Sequence, residues 1–217
     1  MTLLNPTSTH TYGTFLDLDE ITAYLQMDTV PTPGSADAIK LQRFIDGACT
    51  QAQGPGGANR PLCPTRVHER HDGWSGDTIM LLFSPFLQLV SCVENMSTGG
   101  PITLPEATPS NNAFDGVTID YATSKLTRTF AGGWPRPYFP GLRNIEVTYV
   151  AGFNPVPPDV WEATAELVAY KWRNSQEASR WFAQGDEYGG PATGGLFPGM
   201  PNRIADVLGS YRLPTIG

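Results

Sequence analysis

The spacing of apolar residues changes period twice along this chain, and that change limits the folds open to it. From Asp17 to about Gln53 they recur every three or four positions, the period of a helix. From about residue 64 to residue 152 they alternate, or run in short bursts between Gly, Pro, Asn and Asp, as strands joined by turns do. From Asp159 the helical period returns. A chain of 217 residues with this order is expected to be α+β, with a mostly antiparallel β unit inserted into a helical bundle.

Local signals place the elements. Asp17 and Glu20 form a D-x-x-E capping box, followed by Leu18, Ile21 and Leu25 on one face. Ser35 caps a second helix with the stripe Ala38, Leu41, Ile45 and Ala48, with Phe44 alongside and an end near Gly54. Asp159 and Glu162 form a second capping box after Pro157-Pro158. Beyond it, Val160, Thr164, Leu167 and Lys171 adjoin the line Trp161, Ala165, Val168 and Trp172. So wide an apolar arc predicts a central helix that runs to about Phe182.

Strands are expected at Val67–His71, Thr78–Phe83, Leu87–Val93, Gly116–Tyr121, Leu126–Phe130 and Asn144–Val150. In the third, Leu87, Leu89, Ser91 and Val93 share one face, against Gln88, Val90 and Cys92 on the other. Loops are expected over 95–112 and 134–141. The organisation is therefore an extended arm at 1–14, a helical domain at 15–63 and 153–184, a β domain at 64–152, and a C-terminal arm at 185–217. Asn202 is expected to cap a short helix at Arg203–Leu208 in that last arm.

Composition narrows the chemistry. Net charge is −7, so a phosphate-binding surface, which needs clustered cations, is not expected. The first residues lack a basic n-region and no run approaches the ~20 apolar residues of a membrane span, so neither a secretory signal nor a membrane partner is expected. Cys49, Cys63 and Cys92 are scattered, with no C-x-x-C, and are expected to be buried free thiols. His68 and His71 form H-x-x-H beside Asp72, but a strand sends them to opposite faces and no third ligand is near. His10 sits in the N-terminal arm. No G-x-S-x-G occurs, and the Gly-rich runs precede no Lys-Ser or Lys-Thr. Paired carboxylates at Asp17/Asp19/Glu20 and Asp186/Glu187 are accounted for by capping and by a hinge. No catalytic residue, metal or cofactor is expected.

The aromatics carry more. Trp134, Tyr138 and Phe139 occupy a Pro-rich loop, and Trp161, Tyr170, Trp172 and Trp181 lie on the last long helix. Trp161 is expected in the core. Trp134, Tyr138, Phe139, Trp172 and Trp181 are candidates for contacts with another subunit, because Trp and Tyr concentrate binding energy at interfaces.

The order of these segments resembles tailed-phage head-to-tail connector proteins, also called adaptor or head-completion proteins. The resemblance covers roughly residues 15–175. It is carried by the helix Asp37–Ala48, the turn His71–Gly76, the Pro-containing segment Leu81–Val93, and the strand Ile145–Phe153. That strand leads through Val156-Pro157-Pro158-Asp159-Val160 into a helix, which is the most specific piece. The ending Ile204–Gly217 also looks like the tails of such proteins.

The resemblance implies a non-enzymatic virion protein of the neck region, assembled in the host cytoplasm. It implies a dodecameric ring between the portal protein and a downstream neck or tail protein, with DNA passing through the channel without sequence-specific binding. The C-terminal arm, through Ile204, Leu208, Tyr211, Arg212 and Leu213, is then expected to dock on the portal. Removing residues 202–217 is expected to leave a folded chain that no longer enters particles. The alternatives are another neck protein (head closure or tail terminator) or a soluble enzyme or ligand-binding module.

Overall fold

The computed structural model describes residues 7–74, 76–96, 99–107, 115–130, 133–183 and 200–213, with side chains described outside 7–10 and 177–183. The chain is α+β and divides into two compact units. One comprises Met1–Thr11 and Cys63–Pro155, the other Tyr12–Leu62 and Val156–Gly217.

The first unit holds two antiparallel sheets. Strands β1 (Thr7–His10), β2 (Thr65–Gly73), β4 (Phe86–Met96), β5 (Gly100–Thr103) and β9 (Gly141–Ala151) form a sheet in the order β1-β2-β9-β4-β5. Strands β3 (Thr78–Met80), β6 (Asp115–Asp120), β7 (Lys125–Phe130) and β8 (Trp134–Pro135) form the other, with β7 bonded to the remaining three. Val67, Phe86, Cys92, Ile145, Val147 and Tyr149 of the first sheet share one buried cluster with Val117 and Leu126 of the second. Residues 104–107 join the sheets at one edge: Leu104 N–H donates to Cys92 and Val117 N–H to Pro105.

Several expectations change here. The extended arm supplies β1, which pairs with Val67–Arg70. The strand expected at Thr78–Phe83 stops at Met80, because the Leu82 and Phe83 amides donate to the Glu69 carboxylate and the Tyr149 hydroxyl, each at 3.2 Å. In β4, register shifts between Phe86 and Gln88 and between Leu89 and Ser91 reset the alternation. Cys92 and Glu94 are buried as a result, while Leu89 is only partly so. Asn95 and Met96 continue β4 rather than opening a loop, and β5 pairs back on it. Trp134 and Pro135 are paired with β7, where only loop was expected.

The second unit is built on helices α1 (Leu18–Tyr24), α2 (Ala36–Gln53), α3 (Pro158–Ala183) and α4 (Asn202–Ser210). Ser35 Oγ accepts from Ala38 N–H at 3.2 Å, as expected for its cap. Asp17 caps α1 through Leu18 N–H at 2.8 Å, but Glu20 accepts from the Trp161 indole at 3.3 Å instead of closing a capping box. Helix α3 begins one residue before Asp159. Pro158 has no amide proton to leave unsatisfied, so it suits the first helical position. The Asp159 carboxylate accepts the Tyr211 hydroxyl at 2.8 Å instead. Asn202 is the first residue of α4 and makes no cap; Pro201 precedes it.

Helix α3 packs against α1, α2 and α4, the central place its wide arc called for. The C-terminal arm is the main departure from the reading above. Ile204 and Leu208 are fully buried within the helical unit. Residues 184–199, and with them most of the expected Gly/Pro-rich arm, lie outside the described residues. Two fully buried aliphatic side chains contribute roughly 1.5–3 kcal/mol each. Truncation at residue 201 is therefore expected to lower the melting temperature of the helical unit by roughly 10 °C, measured by calorimetry against the full chain. An unchanged melting curve would show that α4 packs only weakly.

Candidate assembly surfaces

In the sheet unit the inward-facing strand positions carry charge as well as apolar groups. Val67, Glu69 and His71 share the inner face of β2, as alternation requires. Glu69 is fully buried; its carboxylate meets His71 Nε2 at 2.8 Å and accepts from the Tyr149 hydroxyl and the Leu82 amide. Burial, together with the Glu69 carboxylate, pushes the Tyr149 phenol far above its usual range. His68, on the opposite face, lies 3.1 Å from Thr148 Oγ1. Both strand histidines are thus occupied by protein groups, and among the described residues no group of three His, Cys, Asp or Glu gathers to hold a metal.

A second network spans the two sheets. Arg128 of β7 and Glu94 of β4 are both fully buried, with Nη2 3.0 Å from Oε2 in a contact not aligned for a hydrogen bond. Arg128 Nη1 donates to Pro137 O at 2.9 Å, and Phe139 N–H donates to Glu94. Asp115 lies 3.6 Å from Arg128 and 3.1 Å from Arg136. Gly73 completes the support: its amide donates to Asn144 Oδ1 at 2.8 Å, and Asn144 Nδ2 donates to Phe139 O at 2.8 Å. A Cβ at Gly73 would stand 2.0 Å from Phe139 O, so only glycine fits there. These contacts fix the segment 137–144 that follows β8.

That segment divides the predicted interface residues. Tyr138 is 1% exposed and belongs to the core, which removes it as a contact residue. Its amide donates to Gly76 O at 2.8 Å and its ring lies inward beside Cys92 and Glu94, where burial raises its phenol well above the usual range. Phe139 is half-buried, with Arg128 4.9 Å from its ring centroid. Trp134 is 74% exposed and pairs directly across β7–β8 with Phe130, itself 40% exposed. Opposed residues share a face, so the two side chains stand on one exposed face, with Arg136 5.4 Å from the Phe130 centroid. Leaving an indole in water is unfavourable, which makes this pair the sheet unit's best candidate contact.

In the helical unit Trp172 is half-buried. It meets Phe44 edge-on at 6.3 Å, with Lys40 Nζ 5.4 Å from its centroid. Trp161 packs edge-on against Tyr24 at 6.0 Å, so it serves the helical unit's own packing. The Trp181 side chain and the residues after Leu213 lie outside what is described. Of the C-terminal residues, Tyr211 binds Asp159, Arg212 donates to Gly57 O and Pro55 O, and Leu213 is half-buried. A cleft of about 280 Å³ is lined by Tyr24, Glu162, Glu166, Tyr170, Arg173 and Arg203. Its two cations and two carboxylates balance, so it offers no field for a charged ligand.

Sequence reasoning missed Glu69, Glu94 and Arg128. The signal for Glu69 was present in its parity with Val67, and for Arg128 in its parity with Leu126; Glu94 was hidden by the bulges.

A scan against protein-family models finds no match, and a search of curated proteins finds none. A search of solved structures finds a chain from "Neck of empty GTA particle computed with C6 symmetry", at TM-score 0.58 and 17% identity, covering 97% of this chain and 97% of that one. The two chains share their fold over essentially their whole length.

Two outcomes are expected of the buried groups. Glu94→Gln removes the buried counterion of Arg128, leaving only the partly exposed Asp115 at 3.6 Å, and should cost about 3 kcal/mol in denaturant unfolding, more than Arg70→Gln at the exposed Arg70–Glu146 pair. Burial, then the Glu94 charge, push the Cys92 thiol from 9.0 up to about 12. The unfolded thiol ionises first, so its contribution to stability is whole below pH 9 and is lost as pH rises towards 12. A Cys92→Ala chain should show a flatter decline in stability above pH 9 than the natural one.

Proposed function

We propose that this protein is a structural, non-enzymatic subunit of a virion neck, forming a ring between the portal and the next neck or tail component and extending the DNA channel. The observation that carries this reading is the fold shared, end to end, with a chain from a particle neck. The connector-like junction Val156–Val160 independently supports it, since it leads directly into the central helix α3. Twelve copies is the stoichiometry the resemblance implies. A ring needs two different surfaces on each copy that meet head to tail and close by rotation. Trp134 with Phe130 in one unit and Trp172 in the other are surfaces of the right chemistry.

Ile204 and Leu208 are fully buried within the helical unit, so portal docking falls to Tyr211, Arg212 and Leu213, which keep exposed surface although Tyr211 and Arg212 also bond within the unit. The charge of −7 per copy suits a channel through which DNA slides rather than binds. The protein would reside in the virion neck after assembly in the host cytoplasm.

The test is native mass, alone and with a candidate portal protein. A ring of about twelve copies in either sample is the expected result. A chain that stays monomeric in both overturns the reading.

A further inference from the structure

The two flanks of α2 differ in charge and in what they face. Its buried stripe (Ala38, Leu41, Ile45, Ala48, Ala52) divides the helix surface. On a 3.6-residue period Lys40, Phe44 and Gly47 fall to one side of that stripe, and Gln42 and Asp46 to the other. Contacts agree with this division. Phe44 meets Trp172, and Gly47 lies beside Lys171 Nζ, which would stand 3.7 Å from a Cβ there. Across the stripe, Asp46 accepts from Thr14 Oγ1 at 3.1 Å and from Gln42 at 2.9 Å.

The first flank has cations without counterions. No carboxylate among the described side chains pairs with Lys40 or Lys171. Asp37, one turn before Lys40, does not pair with it, and Arg43 adds a further exposed cation on the outward face. Both lysines and Trp172 remain partly exposed, and burial draws the Lys171 ammonium below the usual lysine range. The segment that meets the other flank through the Thr14–Asp46 contact is acidic. Residues 1–36 contain Asp17, Asp19, Glu20 and Asp28 and not one Lys or Arg. Asp17, Asp19, Glu20, Asp28 and Asp46 are all exposed.

We propose that the Lys40–Phe44–Lys171–Trp172 flank receives a second copy of this chain through that copy's acidic α1 side, bearing Asp19 and Asp46. Because the two surfaces lie on opposite flanks of one helix, the contact is head to tail rather than a closed dimer, and repeating it builds a ring where the rotation closes, as the ring reading above requires. The proposal rests on the ring reading above and supplies its charged interface. Trp172 provides the apolar anchor, and the lysines set register and approach.

A charge exchange tests it. One variant carries Lys40→Glu and Lys171→Glu; the other carries Asp19→Lys and Asp46→Lys. All four sites are at least partly exposed, and circular dichroism verifies that each variant folds. Each variant alone opposes like charges, so its assembly should need at least about tenfold higher concentration than the natural chain, with or without portal. An equimolar mixture restores both contacts and should give mixed rings in which the variants alternate.

Three results would count against it. A natural chain that rings while both variants assemble equally well overturns this interface and leaves the neck reading standing. A mixture of folded variants that stays as unassembled as its components does the same. A natural chain that is monomeric alone and with portal overturns the ring reading and this interface together.

Discussion

The sheet unit depends on a charge pair held away from water. Arg128 stands on the central strand of one sheet and Glu94 on a strand of the other, so their 3.0 Å contact ties the two sheets together. Such a pair is costly to bury, and its attraction offsets that cost only when the other polar atoms are also placed. Here the second Glu94 oxygen takes the Phe139 amide and Arg128 Nη1 the Pro137 carbonyl, so the pair is placed in part, Arg128 Nε having no hydrogen-bond partner among the described residues. The pair therefore fixes more than the sheet packing. It sets the path of the chain from β8 to β9, with Tyr138 turned inward and Trp134 left outside.

The helical unit is organised on another basis. Its core is small side chains, Ala38, Ala48, Ala52, Ala163, Ala165 and Ala169, between larger ones such as Leu41, Ile45 and Leu167. Small residues let helix axes come close, and the wide apolar arc of α3 is what permits three neighbours. Gln53 closes the end of α2 by donating to Gly13 O and accepting the Leu62 amide, so even the joining segments are held by hydrogen bonds. A unit of this kind presents helix flanks to its surroundings. The chemistry of those flanks, rather than any cleft, is where a structural protein would carry its specificity.

Aromatic residues show how far their type alone can be trusted. Trp134 and Tyr138 are four positions apart in one Pro-rich segment and share the same expected role, yet one is 74% exposed and the other 1%. Nothing in the loop's composition separates them. The separation comes from the pairing of Trp134 with Phe130 on an outer face and from the pocket that Cys92, Glu94 and Arg128 make for the phenol. Ile204 and Leu208 depart in the same direction as Tyr138: expected on a partner's surface, they are fully buried within the helical unit. Their spacing marked an amphipathic helix correctly, but an amphipathic helix carries no label for whose surface it will cover, and α3 of the same chain covers them.

Much of what depends on near neighbours in the chain could be read from the sequence, but not the caps expected of Glu20 and Asp159, whose carboxylates are taken by Trp161 and Tyr211 far along the chain. The α+β order, the Ser35 cap, the α2 stripe, the central place of α3 and the inward face Ile145–Val147–Tyr149 all follow from periodicity and capping, which act within a few residues. What depended on partners far along the chain could not. The early end of β3 is decided by side chains of Glu69 and Tyr149 that take its next amides, the latter 66 residues away. The burial of Glu94 is decided by bulges that only its pairing with β9 creates. Charge at an inward position and a helix without an assigned partner are ambiguous in one dimension, because the group that satisfies them arrives only when the chain folds.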